Sequence, residues 1–82
     1  MPDAADFGTF ILSLASSVLI HLGELPDPET STPTKDLLLA KQTLDILAML
    51  REKTRGNLSA EETQLLEQLL YDLRMKYLAQ KG

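Results

Sequence analysis

Gly56-Asn57-Leu58-Ser59-Ala60-Glu61-Glu62 (GNLSAEE) is the stretch on which the fold depends. A glycine here ends one helix, because a residue without a side chain adopts the left-handed backbone that follows a helix C-terminus. Only Asn57 and Leu58 separate it from Ser59, a hydroxyl residue suited to start the next helix. Glu62 stands three residues after Ser59, the spacing at which serine and glutamate exchange hydrogen bonds with each other's backbone amides. A connection this short folds the flanking helices into an antiparallel hairpin.

Working outward, the hairpin's second arm reads as a helix over about residues 60–79 and its first arm as a helix over about 33–55. Thr32 followed by Pro33 offers the first arm a cap and a first-turn proline. Lys53 and Arg55 suit its negative C-terminal end. Further upstream, residues 23–32 form a linker in which Pro26 and Pro28 hold the backbone around Asp27 extended. Before it lies another helix, over about 4–22, with Asp3 or Asp6 as its cap and Gly23 as its stop. The fold class is therefore all-α: one domain over 1–82 with three helices and the hairpin, expected to assemble as a homo-oligomeric helical bundle.

At 100° per residue, Leu39, Ala40, Thr43, Leu44, Ile46, Leu47 and Leu50 form one stripe on the middle helix, with Leu38 and Met49 on its flank. Leu65, Leu66, Leu69, Leu70, Leu73 and Tyr77 form the main stripe of the last helix, and Tyr71, Met75 and Leu78 form a second, smaller patch behind it. The first helix differs. Its run Phe7–Leu22 (FGTFILSLASSVLIHL) has no charge. Its apolar residues cover about 200° of the circumference, where about 100° suffices to face a core. Phe7, Phe10, Ile11, Leu14, Val18 and Leu22 are accordingly expected to line a contact between copies of the chain. The competing reading is a monomer whose proline linker folds back over that surface.

An 82-residue chain is usually helped by a disulfide, a metal or a partner subunit. There is no cysteine, which fits a reducing compartment, and the single histidine is a poor start for a metal site. A partner remains, most simply the chain itself, with another protein as the further option. Residues 1–34 carry five acids and no lysine or arginine, while all eight basic residues follow. That distribution argues against nucleic acid, whose phosphates need a basic face. The acidic start is unlike a secretory signal, and the sixteen-residue run, with Thr9, three serines and His21, falls short of a membrane span.

No constellation of side chains points to catalysis, and no cofactor is expected. His21 is readable as a pH-sensitive group or general base, but a histidine bonded to a backbone carbonyl near a helix end accounts for it better. Ser13, Ser16 and Ser17 lack the acid that a nucleophilic triad requires. Glu61 and Glu62 read as helix-start acids, and Arg51, Lys53 and Arg55 as a solvated helix end. Asn57-Leu58-Ser59 matches a glycosylation sequon but serves better as a turn and a cap. Asp27 is equally readable as a cap for a partner and as a turn residue. Tyr71, Met75 and Leu78 are equally readable as a peptide-binding patch and as a further contact between copies.

The strings FILSLASSVLIHLGELPDP and DLLLAKQTLDILAMLREKTRGNLSAEETQLLEQLLYDLRMKYL resemble a small bacterial family catalogued as domain of unknown function 1844. The resemblance spans about Phe7 to Leu78, most specifically in IHLGELPDP and KTRGNLSAEE. It implies a small helical protein of the bacterial cytoplasm and brings no activity, cofactor or site residue. The expected function is that of a non-enzymatic, self-associating interaction module. The alternative is a binder of an apolar small molecule or an amphipathic peptide through the first helix.

Overall fold

The computed structural model describes residues 6–31 and 35–81. They form three helices in the order α1 (Phe7–His21), α2 (Leu37–Lys53) and α3 (Ala60–Lys81), each packed against the other two. No strand is present among the described residues. The only β-type pairing among them is an isolated bridge between Leu22 and Lys35.

α1 starts where Asp6 caps it. The Asp6 carboxylate accepts from the Thr9 amide at 3.2 Å and from the Thr9 hydroxyl at 2.8 Å. Asp3, the other candidate cap, lies outside the described residues. The helix ends at Gly23 with φ +81°. The Glu24 amide donates to the Leu19 carbonyl at 2.9 Å and the Gly23 amide to the Ile20 carbonyl at 3.0 Å, so the last turn satisfies its own orphan acceptors.

The linker then turns on Asp27. Its carboxylate accepts from the Glu29 amide at 2.9 Å and its carbonyl from the Ser31 amide at 2.7 Å. Asp27 therefore shapes its own segment, as short acidic side chains do in turns. The linker is tied to the end of α3 by the Gln80 amide, which donates to Glu24 at 3.3 Å.

α2 begins four residues later than the sequence indicates. Asp36 caps it, accepting from the Leu39 amide at 3.1 Å, and Lys35 is still extended in its bridge to Leu22. The Asp36 amide donates to the His21 carbonyl at 2.7 Å. The Thr32–Pro33 start is thus displaced by a backbone tie to α1 that local propensity does not encode; Thr32 and Pro33 themselves lie outside the described residues. α2 closes at Thr54, short of Arg55, and Gly56 makes the turn at φ +86°. The Ser59–Glu62 exchange is present in both directions: the Ser59 amide donates to Glu62 at 2.9 Å and the Glu62 amide to the Ser59 hydroxyl at 3.1 Å.

The core is wholly aliphatic. α1 contributes Ile11, Ala15 and Val18, with Leu22 just beyond its end; α2 contributes Ala40, Leu44 and Leu47; α3 contributes Leu66, Leu70 and Leu73. Each set repeats at four- and three-residue steps, the spacing of a single inward stripe. No polar or charged residue is buried among the described residues. α1 also departs from expectation. Ile11, Val18 and Leu22 are fully buried inside the one chain, so in this arrangement they are not available to line a contact between copies. Phe7 and Leu14 are half-buried against the same core.

Candidate interaction surface

α1's unburied large apolar surface is divided. Phe10 and Leu12 are exposed, and at 100° per residue they stand about 200° apart, on opposite flanks of the buried stripe. The wide arc read from the sequence is therefore cut by the core into two narrow margins.

α2 leaves Leu38 and Met49 exposed together with Leu39 and Ile46 of its stripe, and α3 presents a grooved face. Tyr71, Met75 and Leu78 are 65%, 52% and 56% exposed. They line a groove of about 340 Å³ together with Leu70, Glu67, Arg74 and, from α2, Arg51. The groove is open, and its floor is the edge of the core at Leu70. Its charged groups are partly organised. The Arg51 guanidinium donates through Nη1 to Glu67 at 3.2 Å and lies 3.6 Å from Glu52 through Nε, a nitrogen that is buried and makes no hydrogen bond. Glu52 accepts from Arg55 at 2.7 Å. That hydrogen bond, with the charge of Arg55, holds the Glu52 carboxyl below the usual carboxylate range and raises Arg55 above its own. Arg74 makes no ion pair among the described residues.

A smaller cavity of about 80 Å³ sits beneath the α2–α3 connection, between Arg51, Thr54, Leu58 and Leu66. Ligand pockets run to about 300–1,000 Å³, so it is too small for an organic substrate. Among the described residues no group of three or more His, Asp or Glu side chains is placed to hold a metal. No described helix is long and apolar enough to cross a membrane.

The remaining sequence candidates fall into structural places. His21 is half-buried in the last turn of α1, and its carbonyl takes the Asp36 amide. Ser13 donates to the Phe10 carbonyl at 2.7 Å, within its own helix. Glu62 is committed to the cap, and Asn57 to the turn, its amide donating to the Thr54 carbonyl at 2.9 Å. Sequence reading found Tyr71, Met75 and Leu78 but missed Arg51, Glu67 and Arg74 as their neighbours. A signal was present for two of these: Glu67, Tyr71, Arg74 and Leu78 follow one another by four, three and four residues, each one position after the core stripe's Leu66, Leu70, Leu73 and Tyr77.

A bundle of three capped helices with an aliphatic core and an apolar, arginine-flanked groove defines a small all-α protein. The family model described as "Domain of unknown function (DUF1844)" matches residues 4–79, and the chain belongs to that family. No curated protein and no solved structure matches it.

Proposed function

We propose that the protein is a non-enzymatic interaction module of the bacterial cytoplasm that works as a homo-oligomer. One observation carries this reading. Among the described residues ten hydrophobic side chains are buried, and ten large ones stay exposed, Leu38 at 69% the most open. A large side chain left about half in water forgoes roughly 1 kcal/mol of burial. Ten of them together forgo an amount comparable with the whole 5–15 kcal/mol stability of a domain. Isolated exposed leucines are ordinary, but a grooved cluster is a contact surface.

The orientation of the helices belongs to the same reading. α2 and α3 form an antiparallel hairpin, supported by the short connection and by the Arg51–Glu67 ion pair, which joins the last turn of α2 to the first half of α3. α1 runs alongside α3, supported by Gly8 beside Leu65 at one end and Glu24 bonded to Gln80 at the other.

The 340 Å³ groove favours a second reading, the docking of another protein's amphipathic helix. Size-exclusion chromatography with multi-angle light scattering at loading concentrations of 10–500 µM, about the range in which small interfaces assemble, tests the first. The expected mass is twice the 9.1 kDa chain or more at the upper end. A uniform 9.1 kDa at every loading overturns it.

A further inference from the structure

We propose that two copies of the chain pair through the outer face of α3, antiparallel about a two-fold axis that passes beside Tyr71. This rests on the self-association proposed above and names the surface and the geometry that it uses.

The seam is Glu67, Tyr71, Arg74 and Leu78, a repeat of four, three and four residues with Met75 at its edge. Such spacing lays one straight stripe along a helix, suited to meet an identical stripe. The charges choose the direction. In a parallel pair Glu67 meets Glu67 and Arg74 meets Arg74, two like-charge contacts. In an antiparallel pair centred between residues 70 and 71, Glu67 of each copy faces Arg74 of the other, and both contacts become attractive. Within one chain Arg74 has no ion pair among the described residues. Glu67 is half-exposed, and Arg51 steadies it at 3.2 Å, so its carboxylate is already in place while a second oxygen stays open to a donor. Tyr71, 65% exposed, lies at the axis, where the two rings close over each other. Met75 and Leu78 cover the ends of the seam. α1 offers no equivalent surface, because the core separates Phe10 from Leu12.

Charge exchange tests this at two exposed positions; Arg74→Glu breaks no ion pair among the described residues, whereas Glu67→Arg also removes the pair with Arg51, so Arg74→Glu is the cleaner arm. Sedimentation velocity is recorded from 5 to 500 µM on the wild type, on Glu67→Arg, on Arg74→Glu, on the double variant and on an equimolar mixture of the two single variants; circular dichroism confirms helix content in each. Each single variant is expected to dimerise at least tenfold more weakly than the wild type. The double variant and the mixture are expected to recover dimers, because in both every 67 position again meets an opposite charge at 74. Wild-type dimers that persist unchanged in both single variants overturn the α3 seam and leave self-association standing. Single variants that weaken the dimer while the mixture fails to restore it overturn the antiparallel pairing. A wild type that stays monomeric at 500 µM overturns self-association itself, and the seam with it.

Discussion

Replacing Gly56 by alanine isolates a backbone effect. Gly56 has φ +86° and open space where a Cβ would stand, so the added methyl meets only its own chain. The expected loss is about 1 kcal/mol, read as a shift of the urea midpoint; an unchanged midpoint would mean that the turn relaxes. Burial is tested by a matched pair. Leu47 is fully buried and Leu38 is 69% exposed on the same helix. Leu47→Ala is expected to remove about 2–5 kcal/mol. Leu38→Ala is expected to stay within about 0.5 kcal/mol at concentrations that favour a single copy. Equal losses would mean that the core has been assigned to the wrong side of α2. Titration supplies a third test. Because Arg55 lowers the Glu52 pKa, the pair contributes above the ordinary carboxylate range, and its contribution is lost as pH falls through the lowered value. Both groups are at the surface, so the readout is the carboxyl's own NMR titration: Arg55→Gln should raise the Glu52 midpoint, and an unmoved midpoint would remove the ion pair.

At the scale of elements, the antiparallel hairpin has a clean chemical test because the chain has no cysteine of its own. Arg51 and Glu67 touch across α2 and α3. A variant carrying Arg51→Cys with Glu67→Cys is expected to be joined within one chain by a short bis-maleimide, at a rate independent of protein concentration. A control pair at Arg51 and Lys81 sits about 21 Å further along α3 and should not be joined; crosslinks in the control, or only between chains in the first variant, would contradict the hairpin. Most of the elements were legible because their ends are written in single residues. Asp6, Gly23, Gly56, Ser59 and Glu62 each do locally what their chemistry dictates. The start of α2 was not legible in the same way. Threonine with proline and aspartate before a leucine run are both good starts, and the choice of Asp36 follows from its amide reaching His21, a contact between residues fifteen apart.

At the scale of the molecule, the division of the apolar surface was only half legible. The sequence shows that α1 has more apolar circumference than a core needs, but where the surplus falls depends on how two other helices dock. They occupy the stripe of Ile11, Ala15, Val18 and Leu22 and leave margins at Phe10 and Leu12, so α1 keeps no broad exposed face, and the grooved one lies on α3. The Arg51, Glu67 and Arg74 side of that face could not be assembled from one helix alone, since Arg51 arrives from α2. On the self-association proposed above, the chain shares its stability with a second copy. Thermal unfolding of the wild type across a hundredfold dilution, from 500 µM to 5 µM, measures that sharing directly. Mass action over such a range is worth about 2.7 kcal/mol per dimer, so the melting temperature should fall by several degrees on dilution. A melting temperature that is the same at both concentrations would contradict the account, because the chain would then be complete as a single copy.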